Sequence, residues 1–152
     1  MSKIVVREES YDQVIDDIVL LLVDHWNESS DYNSTNSFLP NFKLYKTMYD
    51  RGKLRILTAR FDNKLVGYTV WILQQHPHSS QVTNATADLV FLSREYRKGW
   101  VGYRMIKDMI EYAKGFGSTH LNIGDGSNPS LRKILGRLGF ESKEVRHELR
   151  VT

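Results

Sequence analysis

The 152-residue chain contains no cysteine. That absence excludes disulfide staples, thiol nucleophiles and Cys-ligated zinc, and makes a cytoplasmic protein the default expectation. No metal is expected as a cofactor. Proline is scarce, with three in the chain, and no linker, internal repeat or low-complexity tract interrupts it. No run of about 18 apolar residues occurs, and the first ten residues lack the basic and apolar regions of a secretory signal, so no membrane association is expected. What is present is 41% hydrophobic, 26% charged and 11% aromatic residues, too apolar for a disordered chain and too polar for a membrane protein. The length fits one domain over 1–152, able to bury about two-thirds of its unfolded surface.

The net charge of +3 hides an asymmetry. Residues 1–93 hold nine basic and eleven acidic side chains, whereas 94–152 hold twelve basic and seven acidic. An excess of positive charge in one half suits an anionic partner, and equally a solvated helical face. Nucleic acid ranks last as that partner, because the basic residues are scattered and no aromatic residues interleave them as a stacking motif.

Residues 4–7 read as a strand. Tyr11, Val14, Ile15, Ile18, Val19, Leu22 and Trp26 follow helical spacing, predicting a helix over 11–27 with Ser10 as its N-cap. A polar loop over 28–37 follows, and Pro40 suits the first turn of a second helix ending near Gly52. Strands over 55–60 and 65–74 flank Asp62, Asn63 and Lys64, a hairpin signal. A loop over 76–83 precedes a strand over 88–92, where period-2 alternation puts Asp88, Val90 and Leu92 on one face. A helix over 103–116, a strand over 120–123, a helix over 129–138 and a final hairpin over 140–151 complete the order β-α-α-β-β-β-α-β-α-β-β. The fold class is α/β, a mixed sheet covered by helices.

The stretch LVFLSREYRKGWVG, 89–102, runs from an apolar strand through a basic, glycine-containing turn into a helix. Unpaired helix-start amides, glycine and the charges of Arg97 and Lys98 together make a phosphate-binding device. Taken alone such a turn is common for structural reasons. Further on, NPSLRKILGRLGF places Leu131, Leu135, Gly139 and Phe140 at fixed distances from Asn128. With these motifs the sequence resembles the GNAT superfamily of N-acetyltransferases, in element order over essentially the whole chain and at motif level over 88–140. Its compact size and shifted turn glycine are also similar to GNAT-type proteins encoded by some tailed bacteriophages.

The resemblance implies acetyl-coenzyme A bound where the fourth and fifth strands part. The backbone near Leu92 would pair with the pantetheine arm. Backbone amides of Lys98, Gly99, Trp100, Val101 and Gly102, with the Arg97 side chain, would hold the pyrophosphate. Asn128 would contact the pantetheine, and Arg132 or Lys133 the nucleotide end. Two departures stand out. Trp100 occupies a position where the family has glycine, so either Gly99 restores the backbone freedom or Trp100 lies outward as a lid. Leu135 stands where many members have a tyrosine that protonates the departing thiolate, which leucine cannot do.

Direct attack by a neutral amine needs a base and an oxyanion donor. Asp88 is the candidate base, His76 and His78 are alternatives, and the backbone amide around Leu92 is the oxyanion candidate. Asp88 as a strand-start cap or ion pair is an equal reading. Tyr32, Phe38, Tyr45, Tyr49 and Trp71 supply aromatics for an acceptor pocket or, for most of them, for the core, and Asp24, Glu28 and Asp31 are acidic groups suited to a cationic amine or to an ordinary exposed helix end. The leading expectation is an acetyl-CoA-dependent N-acetyltransferase acting on a primary amine of a small molecule, peptide or protein. The alternative is a catalytically silent acetyl-CoA-binding module of the same fold. The oligomeric state stays open, a homodimer included.

Overall fold

Asp62 and Asn63 adopt φ values of +48° and +66°, the left-handed backbone that a tight two-residue hairpin turn demands, and Phe61 pairs with Lys64 across it. The computed structural model, which describes residues 3–28, 39–126 and 128–152, places this hairpin in the middle of a five-stranded sheet. Strands β2 (Leu54–Phe61) and β3 (Lys64–Gln75) form it. β1 (Val5–Glu8) pairs antiparallel with β2, and β4 (Thr83–Leu92) antiparallel with β3. β5 (His120–Ile123) joins β4 in parallel, so the sheet is mixed, in the order β1-β2-β3-β4-β5.

Helix α1 (Tyr11–Glu28) starts at a reciprocal cap. The Gln13 amide donates to Ser10 Oγ at 3.2 Å, and the Ser10 amide to Gln13 Oε1 at 2.9 Å. Helix α2 (Phe42–Asp50) starts on Asn41, whose side chain accepts from the Leu44 amide at 3.0 Å. Pro40 therefore lies outside the first turn where the sequence placed it, because asparagine supplies the side-chain acceptor that proline lacks. Helix α3 (Val101–Ala113) buries Met105, Ile106, Met109 and Ile110, and α4 (Pro129–Arg137) carries Pro129 in its first turn.

The two sheet faces bury separate cores. One collects Leu57, Val66, Trp71, Leu92, Met105, Met109 and Leu135. The other collects Tyr11, Val14, Ile18, Leu54, Tyr68, Val70 and Phe91, with Tyr45 and Tyr49 of α2 packed against it. Trp71 is fully buried on the α3 face, its Nε1–H donating to Thr69 Oγ1 at 2.8 Å. It does not join the pocket aromatics among which the sequence placed it. Tyr32, Phe38 and Asp31 lie outside the described residues.

Two further expectations are corrected. Residues 141–152 form no hairpin; they are exposed, and no strand pairing joins them to the sheet among the described residues. Their alternation is a local property, whereas a strand needs a neighbouring edge to bond with. The second correction concerns β4. Val70 pairs with Leu89 and Trp71 with Ala87, so Asp88 is the extra residue of a β-bulge. An inserted residue inverts the pleat count, and Asp88 accordingly bonds to α2 while Val90 and Leu92 pack into the α3 core.

Candidate active site

β4 is bordered on both sides for only part of its length. Its residues Asn84, Ala85, Thr86 and Ala87 pair with β5, but Leu89 to Leu92 pair with β3 alone, and Asp88 between them with neither. The two parallel strands thus part at the bulge and leave one edge of β4 open. Gly67 lies opposite Leu92. A Cβ there would come 2.8 Å from the Phe91 carbonyl oxygen and 2.9 Å from Met105 Sδ, so only glycine lets β3, β4 and α3 meet at this point.

Beyond Leu92 the chain turns through a single 3₁₀ turn, Arg94–Tyr96, and reaches Gly99 at φ +58°. That left-handed residue supplies the backbone freedom which Trp100, one position on, would not. Trp100 itself precedes α3 as its N-cap and offers no side-chain cap. The Val101 amide donates to the Lys98 carbonyl at 3.2 Å, and the side chain of Trp100 takes up none of the amides that follow it in the first turn. The indole is 58% exposed, 5.3 Å from the Arg137 guanidinium carbon and edge-on to Tyr103 at 5.6 Å. It lies outward, as one of the two sequence readings required. Gly102 faces Ile134 and Leu92, with a Cβ there at ordinary contact distance from both.

Two of the arginines expected to meet the donor already have partners. Arg97 Nε donates to the Leu92 carbonyl at 2.5 Å, its Nη2 to Glu28 Oε2 at 2.7 Å, and its guanidinium carbon lies 5.3 Å from the Phe91 ring centroid. Arg132 Nε donates to Asp125 Oδ2 at 2.8 Å. Lys98 and Lys133 are exposed. Asn128 caps α4, its Oδ1 accepting from the Ser130 and Leu131 amides at 3.0 and 3.2 Å. Leu135 is buried in the α3 core.

On the opposite face of β4 lies a string of polar aromatics. Tyr45 O–H donates to Asp88 Oδ2 at 2.7 Å, and the Tyr68 hydroxyl lies 2.8 Å from His25 Nδ1. The His25 ring stacks on Phe91 at 4.8 Å. Burial pushes both phenols well above the usual tyrosine range, aided by Asp88 at Tyr45 and by Tyr45 at Tyr68, so both keep their protons. Burial lowers the His25 imidazole, and the Arg97 charge adds to this while Glu28 opposes it. His25 is therefore neutral at neutral pH. An open cleft of about 720 Å³ lies alongside, lined by Leu21, Asp24 and Glu28 of α1 and by Phe91, Ser93 and Arg94.

His76 and His78 sit in the β3–β4 loop at the far end of β4 from Leu92. There the His76 Nδ1 accepts from the His78 amide at 3.1 Å, so the structure does not bring them to Asp88. His25, Tyr68 and the Arg97–Glu28 pair went unrecognised in the sequence. The available signal was His25 itself, a polar residue on the stripe of Tyr11, Val14 and Ile18 that α1 buries.

The open β4 edge, the uncapped start of α3 and the cations around it suit a ligand with an amide-bearing arm and a diphosphate. The Acetyltransferase (GNAT) family profile matches residues 20–140. The chain belongs to this family. GNAT enzymes transfer acetyl groups, generally with acetyl-CoA as donor, and this protein is an acetyltransferase. The solved GNAT structures it resembles are distant in sequence. A ribosomal-protein-alanine N-acetyltransferase from Brucella melitensis biovar Abortus 2308 is 13% identical with a TM-score of 0.71, over 98% of this chain and 99% of that one. An aminoglycoside acetyltransferase from an uncultured soil metagenomic sample, in complex with sisomicin, is 11% identical with a TM-score of 0.68, over 98% and 95%. A putative acetyltransferase from Agrobacterium tumefaciens is 15% identical with a TM-score of 0.71, over 97% and 99%. At these identities the likeness is one of fold. No curated protein sequence matches the chain. Among the described residues no helix is long and apolar enough to cross a membrane.

Proposed function

We propose that the protein transfers the acetyl group of acetyl-CoA to a primary amine by direct attack, with Asp88 as general base. The observation that carries this reading is the bulge. It sets a carboxylate at the point where β4 loses its β5 partner, and turns it toward the α1 and α2 face, opposite the turn and helix starts that suit the donor. Tyr45 fixes one carboxylate oxygen, and an ionised carboxylate can accept further hydrogen bonds, including one from an ammonium. Bound acetyl-CoA supplies the thioester carbonyl. The backbone at Leu92 aligns the pantetheine arm, and the amides from Lys98 to Gly102 meet the pyrophosphate. Arg97 reaches it by exchanging Glu28 for phosphate, while Arg132 and Lys133 lie toward the nucleotide. Asn128 holds the α4 start that faces the arm. Leu135 brings no proton to the leaving thiolate, and a thiol of pKa about 8.5 departs without a dedicated acid.

The acceptor approaches from the cleft beside α1. Two of the similar structures carry amine acceptors in their names, a protein alanine and an aminoglycoside, and the acidic side chains Asp24 and Glu28 beside this cleft suit a cationic amine. Saturation with acetyl-CoA at about one hundred times its Kd is expected to stabilise the fold by roughly 2.7 kcal/mol. Free-thiol release across a panel of amines then reports transfer. Asp88→Asn is expected to lower turnover about 10²-fold or more and leave the stabilisation by acetyl-CoA in place. Equal turnover in variant and parent would remove Asp88 from the chemistry, and a flat amine panel would leave acetyl-CoA binding without transfer to these acceptors.

A further inference from the structure

Trp100 stands at the N-cap of α3, where serine, threonine, asparagine or aspartate would bond a first-turn amide and firm the helix start. The indole makes no such bond. It enters neither core, and the residue remains 58% exposed. A lone apolar side chain on a surface needs no explanation, but this one is large, flat and held. Tyr103 meets the ring at 82° with centroids 5.6 Å apart, and the Arg137 guanidinium reaches over it from the last residue of α4, 5.3 Å from its centroid. Gly102 and Ile134 bring the two helices together nearby. The ring is fixed from both helices and still open to solvent.

Its place in the chain says what would lie on it. The backbone from Lys98 to Gly102 is the stretch assigned to the donor's pyrophosphate, and Trp100 is its middle residue. In coenzyme A the adenine follows that diphosphate by a single ribose, so a diphosphate on the backbone at Trp100 carries its base within reach of the same residue's side chain. A purine offers a flat π-face, and an exposed indole offers the complementary one. Lys98 and Arg137 are both exposed, and their charge suits the ribose phosphate of the same nucleotide. The turn's conformation permits the large side chain. Gly99 takes the left-handed residue at φ +58°, whereas Trp100 has φ −91°, a value open to any residue.

We propose that Trp100 is the stacking platform for the adenine of acetyl-CoA, steadied by Tyr103 and Arg137. This rests on the reading that the turn before α3 receives the donor's pyrophosphate. Removing an aromatic ring from under a stacked base weakens binding by about 5–150-fold. The platform thereby distinguishes acetyl-CoA from acetyl thioesters that carry the same arm without a nucleotide.

Two donors separate the base from the rest of the ligand, because S-acetyl phosphopantetheine keeps the thioester, the arm and one phosphate but lacks the adenosine. In calorimetry Trp100→Leu is expected to weaken acetyl-CoA at least fivefold more than it weakens the truncated donor, and Trp100→Phe to recover most of that loss. Tryptophan emission gives a second readout, which serves even where the truncated donor binds too weakly for calorimetry. Acetyl-CoA is expected to quench the parent and S-acetyl phosphopantetheine to leave it bright, with most of the quenching gone in Trp100→Phe. Circular dichroism unchanged from the parent separates loss of the platform from loss of the fold. Equal losses on the two donors, or quenching that survives in Trp100→Phe, overturn the platform and leave the donor site standing. A parent that binds neither donor overturns both the platform and the donor reading beneath it.

Discussion

The same chemical pair, an arginine against a carboxylate, occurs at both ends of the sheet and does different things there. At the β1–β2 end, Arg60 meets Glu9 at 2.8 Å with side-chain exposures of only 10% and 9%, and its Nη2 also bonds Asp17 at 3.0 Å. Thr58 and Arg7 bond the same Glu9 carboxylate, and the Arg60 guanidinium also donates to the Asn63 carbonyl at 2.8 Å. At the β4 end, Arg97 meets Glu28 at 2.7 Å, but with exposures of 36% and 28%, and Arg132 meets Asp125 with Arg132 64% exposed. Distance does not distinguish the two ends; burial does. Where water is excluded, breaking the pair strands a charge, so the pair is structural. Where water and ligand have access, the carboxylate holds a cation that an incoming phosphate can take over.

The sharpest way to break this contrast is at Arg60. Arg60→Ala leaves Glu9 buried without its main partner and is expected to cost about 3–5 kcal/mol, read as a lowered midpoint in urea unfolding. Acid probes the same cluster without mutation. Burial alone would raise the Glu9 carboxyl, but the hydrogen bonds from Arg60, Thr58 and Arg7 outweigh it and hold it at about 2. A carboxyl depressed in the fold contributes stability that is present above its unfolded pKa and lost as pH falls through the folded one. Up to roughly 3 kcal/mol should therefore disappear between about pH 5 and pH 2. Thermal unfolding across that range checks it, and a curve unchanged in Glu9→Gln would refute the assignment. The smallest effect belongs to the exposed end. Glu28→Gln frees Arg97 from a competitor worth about 0.5–1 kcal/mol, so acetyl-CoA should bind about 2–5-fold tighter by calorimetry, with little change in stability.

Much of the fold could be read from local patterns. The helical stripe of α1 with its Ser10 cap and the Asp62–Asn63 turn are signals contained within a few residues, and each appears where expected, the cap being completed by Gln13. The basic turn after β4 was legible for the same reason. What escaped are relations between distant segments. Arg97 and Glu28 are 69 residues apart in sequence, and no spacing rule joins them. The orientation of Asp88 was misread because alternation counts residues, and an unpaired residue in a ladder is visible only once the partner strand is known. The absent final hairpin shows the converse, since an alternating segment specifies a face without specifying a neighbour.

The bulge also divides β4 mechanically. Before it, Asn84 to Ala87 are clamped between two strands; after it, Leu89 to Leu92 answer only to β3 and to the contacts of the turn. An unpaired residue at the junction works as a slack joint, taking up small shifts in one segment before they reach the other. Substitutions around β5 and the β3–β4 loop are thus expected to shift the backbone at Leu92 less than substitutions at Gly67, which lies directly opposite it.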